Sequence, residues 1–172
     1  MATPEIQTLM QNISSELVSE IVSGGTLAFM VGEPNAVVIT NEKPETRKWK
    51  NYNAYNIVLY PVQGEPFEEN LRMGGNIQRF YQVGISVYRK AQRKRRMLIF
   101  SDPNDTRTGV GAYEMLNAVM NILRYNTLSG LRERSNSDPF SVPTVDNSGD
   151  SLVEVIDFEY TCETLTGSGS IV

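Results

Sequence analysis

Residues 77–100 read IQRFYQVGISVYRKAQRKRRMLIF, and no other run limits the possible folds so tightly. Its first half alternates, with Tyr81, Val83, Ile85 and Val87 on one side and Gln78, Gln82 and Ser86 on the other. That is the period of a half-buried strand. Its second half is basic: Arg89, Lys90, Arg93, Lys94, Arg95 and Arg96 carry +6 with no acidic residue among them. The whole chain has a net charge of −4, so everything outside this cluster carries −10. A strand that ends in a concentrated patch of sign opposite to its own protein points to docking more than to catalysis.

The strand needs partners, and both flanks supply them. Thr3-Pro4-Glu5 is a helix start, with a hydroxyl for an orphan amide, proline at the first helical position and a carboxylate in the first turn. Ile6, Leu9, Ile13, Leu17 and Ile21 then fall on one face, and Gly24-Gly25 stops the run. The spacing predicts a helix over 4–23. A second helix is expected after Gly109 and Gly111, with Tyr113, Leu116, Met120 and Leu123 on one face, widened by Val119 and Ile122, ending near Asn126. Residues 152–164 alternate Ile156, Phe158, Tyr160 and Cys162 against Asp157, Glu159 and Glu163, which predicts a last strand. Two regular stripes at opposite ends of a set of alternating strands imply an α+β fold, a mainly antiparallel sheet with two amphipathic helices packed on one face.

Between these elements, residues 26–31 and 36–40 are apolar, β-branched runs separated by Gly32-Glu33-Pro34-Asn35, so a hairpin is expected there. Residues 56–62, NIVLYPV, predict a strand ended by proline. Residues 63–76 are a loop by content, and the acidic trio Glu65, Glu68 and Glu69 lacks the spacing of a calcium loop. Met97 to Phe100 are apolar enough to pair back onto the sheet, which makes the basic cluster the tip of a long hairpin insertion. Residues 135–149 are a Ser-, Pro- and Asp-rich connection, and 1–172 is expected to be a single domain.

Composition removes most chemistry. The chain contains no histidine, which excludes His-based triads and most zinc sites. The lone Cys162 lies in an alternating run with no basic residue near it in sequence, the setting of a small core residue rather than a reactive thiol. No catalytic, metal-binding or cofactor-binding constellation is expected, and the chain is not read as an enzyme. No apolar run approaches the ~20 residues of a membrane span, and no basic-then-apolar leader opens the chain, so a cytoplasmic setting, or a particle assembled there, is expected.

The candidate sites are therefore interfaces. Trp49, Tyr52 and Tyr55 lie in a polar segment. They form either a ligand platform or a cover for a sheet edge or a neighbouring subunit, and no phosphate cradle beside them favours the former. The basic run Arg89, Lys90, Arg93, Lys94, Arg95 and Arg96 has three readings: contact with protein, contact with DNA phosphates, or a solvated hairpin tip. Few aromatics interleave it for stacking on bases. From Ser135 onward there is no Lys or Arg and there are seven acidic residues, Asp138, Asp146, Asp150, Glu154, Asp157, Glu159 and Glu163. Opposed segments of this kind can match repeatedly from copy to copy in a head-to-tail ring.

The order of elements, an N-terminal amphipathic helix, RFYQVGISVYRK, GAYEMLNAVMNILRYNTLSGL and LVEVIDFEYTCET, resembles the tail terminator (tail completion) proteins of long-tailed bacteriophages. The resemblance covers most of the chain as a pattern of elements. It implies a hexameric ring in the virion neck that caps the tail tube and presents a surface to the neck or stopper protein, with the tail sheath as a further partner where tails contract. It also implies a lumen through which genomic DNA passes without tight binding, which acidic residues achieve by repulsion. The basic hairpin would then point outward or to a neighbouring protein. Another phage neck component, a stopper or head-tail joining protein, and a nucleic-acid-binding module using residues 89–96 are the alternatives.

Overall fold

The computed structural model describes residues 5–43, 53–62, 69–71, 77–92, 109–124, 132–133, 144–146 and 153–166. In chain order these form α1 (Glu5–Ser19), a 3₁₀ turn (Ala28–Met30), β1 (Val37–Ile39), β2 (Tyr55–Pro61), β3 (Glu69–Leu71), β4 (Ile77–Gln92), α2 (Ala112–Arg124), β5 (Arg132–Glu133), β6 (Thr144–Asp146) and β7 (Val153–Thr166). The strands share one sheet in the order β1-β2-β4-β7-β5, with β3 also on β4 and β6 also on β7. All pairs are antiparallel except β1 with β2. The fold is α+β.

The two stripes read from the sequence form one core with the sheet. Leu9, Ile13 and Leu17 of α1 and Met115, Leu116, Val119, Met120 and Leu123 of α2 are buried together with alternate positions of β2 (Ile57, Leu59) and β4 (Tyr81, Val83, Ile85, Val87). Each such side chain stabilises the fold by about 1.5–3 kcal/mol through burial. Ile21 is half-buried at the rim, and Tyr113 is 38% exposed, outside the stripe where the sequence puts it.

The other face of the sheet's centre is closed as well. Asn56, Val58 and Tyr60 of β2 and Ser86 and Tyr88 of β4 are all buried. Burial on both faces explains why β2 reads as a continuous apolar run rather than an alternation. Tyr60 stands opposite Gly84 in the register, and a Cβ at Gly84 would lie 2.4 Å from carbons of the Tyr60 ring. The glycine is there because the tyrosine lies across it.

Helix α1 stops four residues short of the expected end because Glu20 ties off its C-terminus. The amides of Glu20 and Ile21 bond three residues back, to the carbonyls of Leu17 and Val18, which tightens the last turn. The Glu20 carbonyl then accepts from Leu27 N, and its carboxylate from Thr26 N at 2.9 Å. A Cβ on Gly25 would sit on the Glu20 carbonyl, so the chain can pass there only without one.

Residues 26–40 depart from the expected hairpin. Residues 28–30 form a 3₁₀ turn, which buries Leu27 and Met30, three apart and on one side of it. β1 is left with three residues and pairs parallel to β2, Val37 opposite Ile57 and Ile39 opposite Leu59. A parallel neighbour needs a long return connection rather than a tight turn, and residues 40–54 supply it. Two short strands were also hidden in the expected loops: β3 opposes Glu69 to Arg79, and β6 opposes Val145 to Ile156.

The longest feature is the β4–β7 ladder, which runs from Arg79 opposite Thr166 to Gln92 opposite Val153. β2 covers β4 only from Val83 to Arg89. At about 3.4 Å per residue the 16-residue β4 spans roughly 50 Å, so the ladder outruns β2 at both ends. The strand expected to end in the basic run continues to Gln92. The expected return of residues 97–100 lies outside the described residues.

Candidate interaction surfaces

Arg89 stands opposite Tyr55 where β2 begins, and it is buried, at 6% exposure. Its guanidinium carbon lies 4.7 Å from the centre of the Tyr55 ring. Phe29 meets the same ring edge-on, with centroids 5.1 Å apart and planes at 63°. The Tyr55 hydroxyl accepts from the Val110 amide at 3.1 Å. Gly109 precedes that amide at φ +67, and a Cβ there would lie 2.5 Å from the Tyr55 hydroxyl. One tyrosine therefore joins the 3₁₀ turn, the end of β4 and the entry to α2. Burial lowers the pKa of Arg89, and Tyr55 opposes that shift. An arginine keeps its charge when buried, and the Tyr55 ring face and hydroxyl both offset the cost of burying it.

This alters the composition of the basic cluster. Arg89, grouped with an exposed hairpin tip by the sequence, is held inside the sheet by Tyr55. Tyr55, grouped with Trp49 and Tyr52, is a packing residue. Lys90 belongs to β4 and stands opposite Val155, with Glu154 opposite the next residue, Ala91. The end of β4 and the start of β7 therefore pair within one chain, with Lys90 and Glu154 at register positions on opposite faces of the sheet. Further along, Asp157 stands opposite Tyr88, Glu159 opposite Ser86 and Glu163 opposite Gln82. Cys162 stands opposite Val83, a core residue. Arg93, Lys94, Arg95, Arg96, Trp49 and Tyr52 lie outside the described residues, and β4 delivers the chain to within one residue of Arg93.

The structure adds a surface that the sequence did not signal, the outer edge of β1. Beside it is a cavity of about 560 Å³, lined by Ser14 of α1, by Val37–Ile39, and by Asn53 and Asn56 at the start of β2. Glu33 accepts from the Ala54 amide through both carboxylate oxygens, at 3.3 and 3.2 Å, which fixes the preceding turn against β2. Asn53 is buried and donates through Nδ2 to the Pro34 carbonyl at 2.7 Å and to Asn56 Oδ1 at 2.9 Å. Its own Oδ1 is buried with no hydrogen-bond partner among the described residues. An Asn-x-x-Asn spacing in a polar stretch carries no signal strong enough to reveal this from sequence.

Among the described residues no group of three or more Cys, Asp or Glu is placed to hold a metal ion, and no helix is long and apolar enough to cross a membrane. No protein-family model and no curated protein matches the chain. Among solved structures it is similar to a chain from the virion of a native gene transfer agent particle, at 14% identity and a TM-score of 0.44, over 96% of this chain and all of the other.

Proposed function

We propose that the chain is a structural protein of a virion, a ring-forming tail terminator that caps the tail tube and joins it to the neck of the head. The observation that carries this reading is the arrangement of the central ladder. Two helices cover one face of a sheet whose β4 and β7 run on beyond β2. One end of that ladder leads directly into Arg93, Lys94, Arg95 and Arg96. A ladder that runs on past β2 into a basic sequence suits contact with another subunit or layer. The element order is the one that resembles tail terminators in the sequence. A chain without histidine suits a role of contact rather than turnover.

In this reading the copies form a ring, hexameric by that resemblance, with tube protein on one side and neck protein on the other. DNA passes through the lumen without tight binding. The register sets Lys90 opposite Val155 and Glu154 opposite Ala91, on opposite faces of the sheet, and the contact between copies draws on the run from Arg93 to Arg96. Negative-stain imaging of the purified protein tests the reading. Closed rings of uniform symmetry are expected, and they should be lost when Arg93, Lys94, Arg95 and Arg96 are replaced by Glu. Solitary particles at every protein concentration would refute it.

A further inference from the structure

The edge of β1 has an occupant to find. In its parallel pairing with β2, the Ala36 carbonyl accepts from Ile57 N and the Thr40 amide donates to Leu59 O, both at 2.8 Å. Ala36, Val38 and Thr40 are thus the residues bonded to β2. The N–H and C=O of Val37 and Ile39 point the other way, to the outside of the sheet. Among the described residues no strand lies beyond them. An edge left unpaired by the described strands is a template for an added strand.

Two further observations point to a ligand. The cavity of about 560 Å³ lies along this edge, and its described lining, the turn Pro34-Asn35 with Ser14, Val37–Ile39, Asn53 and Asn56, contains no ionisable side chain. Asn53 is 4% exposed and lines the same cavity. Its amide orientation is fixed, because exchanging N and O would set its oxygen against both the Pro34 carbonyl and Asn56 Oδ1. The acceptor Oδ1 is therefore the group left without a partner among the described residues. An unmet buried acceptor is destabilising, and an incoming N–H would satisfy it.

We propose that this edge and cavity form an acceptor site for an extended, uncharged segment of another protein. The segment adds to β1 through the backbone of Val37 and Ile39, sets an apolar side chain into the cavity, and offers an N–H to Asn53 Oδ1. The described lining selects this occupant: among the described residues no side chain there offers a counter-charge, so a carboxylate or ammonium entering would lose its hydration without replacement. The proposal is independent of whether the chain forms rings.

The test uses the full chain and a short acetylated, amidated peptide of alternating valine and threonine with a central asparagine. A control peptide carries glutamate in place of the valines. Binding is followed by NMR and by amide hydrogen exchange at Val37 and Ile39. The neutral peptide should protect both amides and bind at least tenfold more tightly than the control. Val37→Pro removes an outward donor and no bond to β2, and Ser14→Trp fills the cavity from α1. Each should weaken binding at least tenfold while the far-UV spectrum stays unchanged. The proposal is overturned if the neutral peptide does not bind at millimolar concentration, or if both peptides bind equally. Binding that ignores both substitutions would overturn it too. So would protection of the two amides that rises with protein concentration in the absence of peptide, since a second copy would then be the occupant.

Discussion

Replacing Gly84 by Ala tests whether the two-sided burial of the sheet is as tight as the structure has it. The new methyl would lie 2.4 Å from two carbons of the Tyr60 ring, where carbon atoms normally rest at about 3.5–4.0 Å. The ring must retreat by roughly 1 Å or more, and Tyr60 is 3% exposed, so it has nowhere open to go. Overpacking of this kind costs about 1–3 kcal/mol. The restriction of the unfolded chain on replacing glycine offsets about 0.4–1 kcal/mol of that. A net loss of about 1–2 kcal/mol is expected, equivalent to a fall in Tm of about 2–8 °C for a chain of this size. Tyr60→Leu removes the clashing ring atoms. In that background Gly84→Ala should be neutral or stabilise by up to about 1 kcal/mol. Urea unfolding of the four proteins, followed by circular dichroism, gives the coupling energy directly. If Gly84→Ala costs the same with and without the Tyr60 ring, the contact does not govern that face and the reasoning fails.

Two other perturbations follow from the same geometry. Gly109→Ala forces a side chain onto a left-handed backbone, at about 1–2 kcal/mol, and against the Tyr55 hydroxyl. Tyr55→Phe should relieve only the second part, as seen in the urea midpoints of the single and double variants. For Glu20, the hydrogen bond from Thr26 N lowers the carboxylate pKa. Its contribution should be complete above the unfolded value of about 4.3 and lost as pH falls through the lower folded value. The difference in stability between the protein and Glu20→Gln, measured by urea unfolding, should therefore shrink towards zero as pH falls from 7 to 3. A difference that does not change with pH would show that the charge has no part in it.

The helices were legible because their apolar residues repeat at helical spacing over three turns or more, and that spacing has no alternative use. The central and last strands were legible from alternation, and β2 from its apolar run. What misled lay in short segments. Thr26 to Val31 are β-formers by type, yet Leu27 and Met30 are buried by a 3₁₀ turn that three residues cannot advertise. β3 and β6 owe their existence to β4 and β7, long strands that impose pairing on whatever lies beside them. Arg89 was misplaced because its charge suggested solvent, whereas its cross-strand partner is an aromatic ring that accepts it. The cavity beside β1 depends on Asn53 meeting Pro34, 19 residues apart, a contact with no local sequence pattern. Trp49, Tyr52 and Arg93 to Arg96 fall outside the described residues.

The most direct measurement of the central claim is the molar mass of the purified protein by light scattering across protein concentration and salt. If the copies assemble through charged contacts as proposed, a discrete assembly of several copies is expected at low salt that dissociates as ionic strength rises and screens those contacts. Replacing Arg93, Lys94, Arg95 and Arg96 by Glu should shift that dissociation to lower salt or abolish assembly. A mass of 19.3 kDa, that of one chain, under every condition would contradict it.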